Sequence, residues 1–364
     1  MLEIRRIISE YDSIKDHSTI KVALASVVSV EASAYRRVGA RMLVNSNGIW
    51  VGGISGGCLE GDALNKSLNA IYKNESSIIV YDTMEDDSSQ IGVGLGCNGR
   101  IEVLLTPIDP NDPNNEIELL RSLLYAEKPS IIAKVISKHS SSFSKCQMLD
   151  YNVPGLNFMN IKNTSLQEAI HTALEKKSPR IFNLESSEGD LKVLLEFIRP
   201  ETRLIIVGDS YDVNAMVNVA ETLGWEIWIV GRMKKLTKEL VKRVQKVIPF
   251  KEHEQIKTHD YTAVVLMSHD YKWDLTILQH FIKNNPPYIG ILGPKKRFQK
   301  MDKELSVIEL EKINYIYSPT GLEIGAETPE EISLSIAAEI IAVFRNKKGL
   351  FLKLKDGSIH TREQ

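Results

Sequence analysis

At 364 residues, with 43% hydrophobic and 25% charged side chains, the chain has the composition of an ordinary globular protein and is long enough for two or three domains rather than one core. No apolar run is long enough to span a bilayer, and a net charge of −2 without a basic block interleaved with aromatics argues against a nucleic-acid partner. The stretch Met1-Leu2-Glu3-Ile4-Arg5-Arg6-Ile7-Ile8 carries charges through its apolar residues and does not read as a signal peptide, so a cytoplasmic protein with free thiols is expected.

Residues 2–15 place Leu2, Ile4, Ile7, Ile8, Tyr11 and Ile14 at helical spacing, and residues 22–30 are a β-rich run. A loop with Arg36, Arg37 and Arg41 follows. Residues 42–44 and 48–51 then predict two strands around Asn45-Ser46-Asn47-Gly48, a hairpin signal. The stretch Gly52-Gly53-Ile54-Ser55-Gly56-Gly57-Cys58-Leu59-Glu60-Gly61-Asp62 leads into a helical face of Leu59, Ala63, Leu64, Leu68, Ile71 and Tyr72. Strands are predicted at 77–83 and 100–105, with the second glycine-rich stretch, Gly92 to Arg100 around Cys97, between them. This makes residues 1–108 an N-terminal α/β domain. Asp109-Pro110-Asn111-Asp112-Pro113 is a boundary that no helix or central strand crosses. Residues 109–200 form a middle region with helices at 116–126 and 165–176, a strand at 130–137, an exposed serine loop at 140–144 and no assigned topology. From residue 201 strands and helices alternate: strands at 203–208, 226–230, 262–267 and 288–292, helices at 212–223, 236–244 and 274–283. That alternation predicts a Rossmann-like, doubly wound parallel sheet over 201–347, with a tail at 348–364. Thr328-Pro329-Glu330-Glu331 announces its last helix with a cap, a proline and a capping-box glutamate.

Two of the three cysteines, Cys58 and Cys97, lie in glycine-rich turns, where Gly56 and Gly57 would let a ligand approach the main chain. Cys58 also precedes a helix, whose dipole and unpaired N–H groups favour an anion. Such thiols suit a metal or cofactor ligand, a persulfide carrier or a nucleophile; the plain alternative is a small residue closing a tight turn. No nearby histidine completes a zinc site or supplies a base, and Cys146 reads as structural. Arg36, Arg37 and Arg41 form either an anion clamp or a solvated basic loop. Asp82, Glu85, Asp86 and Asp87 form an acidic run, a weak magnesium site at best.

In the last domain only Gly208 of the dinucleotide fingerprint is in place. Asp209 puts a negative charge where a pyrophosphate would sit, and Gly231-Arg232 lacks the acid that would hold a ribose. NAD(P) binding is therefore doubtful, with Arg232 the feature that keeps NADP in play. His269 follows a predicted strand at a position where such sheets carry function, and Lys295, Lys296 and Arg297 open a helix as an anion clamp.

Together Tyr35-Arg36-Arg37-Val38-Gly39-Ala40-Arg41-Met42, Ser55-Gly56-Gly57-Cys58-Leu59-Glu60-Gly61, Tyr81-Asp82-Thr83, Gly94-Leu95-Gly96-Cys97-Asn98-Gly99-Arg100-Ile101-Glu102, Tyr288-Ile289-Gly290-Ile291-Leu292-Gly293 and the run from Gly321 to Ala338 resemble the xanthine dehydrogenase accessory factor family (XdhC/CoxI). The resemblance covers residues 20–106 and 203–347. It implies a protein that binds the molybdenum cofactor (molybdopterin), promotes replacement of an oxo ligand by sulfur with a cysteine desulfurase, and delivers the cofactor to a molybdenum hydroxylase apoenzyme. In that role Cys58 and Cys97 would ligate molybdenum or guard the sulfur chemistry, and Arg36, Arg37, Arg41 or Arg100 would grip the pterin phosphate. A chaperone rather than an enzyme is expected, and a homodimer is admitted. The family pattern has a Gly-x-Gly-His-type turn and an acid after the second strand, both missing here. The rival readings are an NADP oxidoreductase using a first-domain thiol or His269, and a scaffold that docks a desulfurase or target enzyme.

Overall fold

The computed structural model describes residues 1–17, 19–32, 35–82, 99–137, 142–149, 157–158, 161–162, 164–185, 190–305 and 313–354. Cys97, Glu85, Asp86, Asp87 and part of the serine loop lie outside the described residues. Residues 1–200 form one compact unit and residues 201–355 a second.

The first unit opens with α1 (Leu2–Ile14), β1 (Val22–Ala32), β2 (Arg41–Asn45), β3 (Trp50–Gly52), α2 (Glu60–Lys73), β4 (Ser77–Asp82) and β5 (Gly99–Ile108). These strands make an antiparallel sheet in the order β3-β2-β1-β5-β4. The hairpin expected at Asn45 is present: Asn45 Oδ1 accepts from the N–H of Asn47 (3.0 Å) and Ile49 (3.1 Å), and Gly48 takes φ +79°. Strand β1 is apolar at every position from Val22 to Ala25 because both sheet faces are covered. Ala23, Ala25 and Val27 pack with Ala63, Ala70 and Ile71 of α2, while Val22 and Leu24 pack with Ile7, Ile8 and Tyr11 of α1. Small alanines on the first face let the helix sit close.

After α3 (Glu116–Ser122) come β6 (Ser130–Val135), β7 (Cys146–Leu149), a short β8 (Asn157–Phe158) and β9 (Ile161–Lys162) pair, α4 (Thr164–Glu175), β10 (Arg180–Leu184) and β11 (Leu191–Ile198). Strands β10-β11-β6-β7 form a second antiparallel sheet. Period-two alternation divides its side chains: Ile131, Ala133 and Val135 face Leu166 and Ile170 of α4, whereas Ile132 and Ile198 join the cluster of α1 and α3. That shared cluster is why the expected 1–108 domain and the middle region are one unit. A buried ionic knot adds to it. Arg41 from β2 donates to Glu116 (Nε, 3.0 Å) and to Glu196 (Nη1, 2.9 Å; Nη2, 2.6 Å), and Lys134 Nζ donates to Glu116 (2.6 Å).

The second unit runs β12 (Arg203–Val207), α5 (Val213–Thr222), β13 (Glu226–Val230), α6 (Lys238–Arg243), β14 (Lys246–Ile248), β15 (Thr262–Leu266), α7 (Tyr271–Asn284), β16 (Tyr288–Ile291), α8 (Lys295–Glu304), β17 (Ile316–Tyr317) and α9 (Pro329–Phe344). All its strands are parallel, in the order β14-β13-β12-β15-β16-β17. Counted within the unit this is 3-2-1-4-5-6, the order of dinucleotide-binding sheets, with the topological switch between β12 and β15. Leu204 and Ile206 pack on the side of α5 and α9, Ile205 and Val207 on the side of α7, so each is fully buried. Helix α9 starts as its sequence announces: Thr328 Oγ1 accepts from Glu331 N–H (3.3 Å) and Glu331 Oε2 accepts from Thr328 N–H (3.0 Å).

Candidate functional site

The turn between β3 and α2 carries Cys58, and two side chains fix its path. Glu60 Oε1 accepts from the N–H groups of Ile54 (3.1 Å) and Ser55 (2.8 Å), while Oε2 accepts from the Ser55 hydroxyl (2.5 Å) and Leu59 N–H (3.2 Å). Ser55 Oγ in turn accepts from Gly57 N–H (3.2 Å), Leu59 N–H (3.1 Å) and the Cys58 thiol (3.5 Å). Burial resists ionisation of Glu60, but the hydrogen bonds from Ser55, Ile54 and its own N–H outweigh it and hold the carboxyl below the usual range. A carboxylate thus takes up N–H donors of the turn ahead of α2 and puts a negative charge where an anion site is expected. Cys58 itself is exposed at the tip.

The glycines differ in what they permit. Gly52 takes φ +87°, and a Cβ there would lie 2.4 Å from the Arg41 carbonyl oxygen, so this residue anchors the turn to β2. Gly57 takes φ +113° with open space where a side chain would be, and Gly56 lies under the Tyr35 ring, 3.3 Å from where its Cβ would stand. Tyr81 closes the far side by donating to Asp62 of α2 (2.7 Å), which also pairs with Lys66 (2.6 Å).

The four expected arginines go to different places. Arg36 bonds Glu3 of α1, whose other oxygen accepts from Gly53 N–H (3.3 Å), so Arg36 ties its loop to the base of the thiol turn. Arg37 is half-buried in the same loop. Arg41 is corrected from an anion ligand to a structural cation: only 2% exposed, it is consumed by Glu116, Glu196 and the Gly39 carbonyl. Arg100 lies among Glu31 (3.5 Å), Asp82 (3.8 Å) and Glu102 (3.3 Å), an acidic setting that competes with any phosphate. Cys146 is half-buried, and burial, with Glu116 nearby, pushes its thiol up to about 12, in keeping with a structural role.

In the second unit, loops after β12 and β15 meet at the switch point. His269, at φ +58°, places Nε2 2.7 Å from Asp212 Oδ2. The turn after β12, where a dinucleotide-binding sheet receives its pyrophosphate, carries a carboxylate instead: Asp209 accepts from Arg232 N–H (3.0 Å), Nε (2.6 Å) and Nη2 (2.9 Å). Those bonds hold the Asp209 carboxyl below its usual range against the cost of burial. Gly208 has a packing reason of its own, since a Cβ would stand 2.7 Å from the Met267 carbonyl oxygen. Arg297 is drawn to the buried Asp274 (2.6 Å), which also accepts from Ser268 (2.6 Å), so the expected basic clamp is partly spent on closing β15 against α8.

Among the described residues no group of three or more His, Cys, Asp or Glu side chains is placed to hold a metal ion. Sequence reasoning missed Glu3, Tyr35, Ser55 and Asp212 as site residues. Ser55 carries no local signal, because its partner Glu60 stands five residues on rather than the three of a capping box, and the reach of Glu3 across the fold carries none either.

Residues 204–340 match the model of the XdhC Rossmann domain, and residues 17–82 that of the XdhC and CoxI family. The chain is 30% identical over 325 residues to a protein of Bacillus subtilis (strain 168) described as a probable subunit of xanthine dehydrogenase, covering 88% of this chain and 92% of that protein. It is 24% identical over 324 residues to the molybdenum cofactor insertion chaperone PaoD of Escherichia coli (strain K12), covering 88% and 82%. Among solved structures it is similar to a xanthine dehydrogenase from Bacillus halodurans, with a TM-score of 0.72 and 27% identity over 94% of this chain and 96% of that one.

Proposed function

The chain belongs to the XdhC and CoxI family, and from that premise we propose that it is a molybdenum cofactor-binding accessory protein. In this reading it holds the cofactor as cargo during sulfuration by a cysteine desulfurase and passes it to a xanthine dehydrogenase-type apoenzyme in the cytoplasm, without catalysing a reaction itself. Support comes from the similarity to PaoD, described as a molybdenum cofactor insertion chaperone, and from one feature of this chain above all. The Cys58 thiol stands exposed on a turn whose backbone is fixed beneath it by Ser55 and Glu60. A soft sulfur on a preorganised, glycine-lined turn suits a thiophilic metal or a sulfur atom in transit. The donor set fits the metal end of the cargo better than its phosphate. Of the arginines, Arg36 is shared with Glu3, Arg41 is buried and Arg100 sits among carboxylates, so the phosphate end meets fewer available cations than the sequence suggests.

The test is retention. Purified protein and Cys58→Ala are incubated anaerobically with freshly released cofactor, gel filtered, and assayed for molybdenum and for oxidised pterin fluorescence. Near-stoichiometric retention by the wild type that falls in the variant is expected. Equal retention would remove Cys58 from the site, and none by either protein would defeat the proposal. A second reading, an NADP-dependent oxidoreductase, draws on the 3-2-1-4-5-6 strand order and on the His269–Asp212 pair at the switch point. Saturating quenching of protein fluorescence by micromolar NADP would favour it. The Asp209–Arg232 pair in the pyrophosphate position speaks against it.

A further inference from the structure

We infer that Tyr35 is a stacking platform for the planar ring of the cargo, beside the turn that carries Cys58; this rests on the cofactor reading above. Its ring lies against Gly56, with Cδ1 and Cγ 3.3 and 3.4 Å from where a Cβ would be, so any larger residue at 56 would displace it. One side of the ring is therefore backed by main chain, and the residue is still 70% exposed. Tyr72, Tyr125 and Tyr211 are exposed as well. Among these four, Tyr35 is the one whose ring rests on a described glycine, and that glycine is two residues from the thiol.

The position is also held. Arg36, the next residue, bonds Glu3, and Glu3 accepts from Gly53 N–H (3.3 Å). Tyr35 is thus fixed to the same turn at two points, Gly56 through its ring and Gly53 through its neighbour. A surface tyrosine free to rotate loses entropy on stacking, whereas one already seated loses less. Aromatic side chains held face-open recognise flat heteroaromatic rings, because every such ring has a π-face, and the pyrimidinone ring of the cofactor's pterin is one, as is the whole ring system of an oxidised pterin. Tyr35 would grip the ring while Cys58 addresses the metal end, dividing recognition between an aromatic face and a soft donor. The division also accounts for a turn beside which Arg36 and Arg41 are engaged by carboxylates.

Tyr35→Phe and Tyr35→Ala are compared with wild type for cofactor retention after gel filtration, and for binding of free 6-hydroxymethylpterin, followed by quenching of the pterin's own fluorescence. Thermal melts check that each variant folds. Phe should bind within about twofold of wild type, and Ala about tenfold more weakly to both probes, the scale of losing one stacked ring. If Ala binds both probes as wild type does while wild type retains cofactor, the platform is refuted and the cofactor reading stands. If wild type retains neither probe, the cofactor reading fails and the platform with it. A loss in Phe equal to that in Ala would replace stacking by a hydroxyl contact and overturn the inference.

Discussion

Glu60 is where the chemistry of the thiol turn is decided, because one carboxylate accepts four hydrogen bonds from donors of that turn. Glu60→Gln keeps the size but replaces one acceptor oxygen by a donor amide, which then confronts N–H groups. Hydrogen bonds to a charged acceptor contribute about 1.5–3 kcal/mol each net, so a loss of about 2 kcal/mol is expected. Urea unfolding would show it as a lower midpoint with an unchanged slope. The same carboxylate has a pH signature. Its folded-state pKa lies below the unfolded one, so its stabilising contribution is present above the unfolded value and is lost as pH falls through the folded value. Glu116 behaves alike on a deeper scale. Burial opposes its charge, but Lys134 and Arg41 hold it down to about 2 from an ordinary 4.5, so its contribution should drain away between about pH 4.5 and about pH 2. Glu116→Gln would leave two buried cations facing one remaining carboxylate, Glu196, at a cost of about 3–5 kcal/mol. In that variant the acid limb of the stability profile should flatten; an unchanged limb would mean that Glu116 is not charged in the folded protein.

Among the elements, the turn from Gly52 to Leu59 depends on two glycines in different ways, and substitution separates them. Gly52→Ala meets the Arg41 carbonyl at 2.4 Å and a left-handed backbone together, so it should disturb β2 and destabilise the first unit by more than about 2 kcal/mol. Gly57→Ala meets only the backbone cost, about 1–3 kcal/mol, which Gly52→Ala carries in addition to its clash, since nothing stands within 4 Å of the Gly57 Cβ. Differential scanning calorimetry of both variants gives the order; Gly57→Ala proving the worse would contradict this geometry. How much of the fold was legible follows the same divide between local and distant causes. Helix α9 was readable from Thr328-Pro329-Glu330-Glu331, and the strands of the second unit from short apolar runs between helices, because caps and parallel-strand burial are local signals. The sheet β10-β11-β6-β7 was not, because its order is set by pairing between β6 and β11, whose residues meet across some sixty positions of sequence, as Val135 meets Val193. Arg41 misled for that reason. Its neighbours Arg36 and Arg37 suggest a basic loop, yet its partners Glu116 and Glu196 arrive from elements far along the chain.

At the scale of the whole molecule the chain divides at residue 200, and each buried core cluster draws its residues from one side of that division. Residues 201–354 contain both faces of the parallel sheet, with Leu204 and Ile206 on one and Ile205 and Val207 on the other, and the helices that cover them. A core that closes within one segment should fold when that segment is made alone. A fragment of residues 201–354 is therefore expected to unfold in a single cooperative transition. A fragment of residues 1–200 is the sharper case, since it holds Cys58, Tyr35, Glu60 and the buried knot of Arg41, Lys134, Glu116 and Glu196. If the thiol turn is sufficient for the cargo, this fragment should retain molybdenum cofactor with an affinity within about tenfold of the full chain, a difference of about 1.4 kcal/mol. Folded fragment without retention, next to a full chain that retains, would mean that the thiol turn is not sufficient for the cargo.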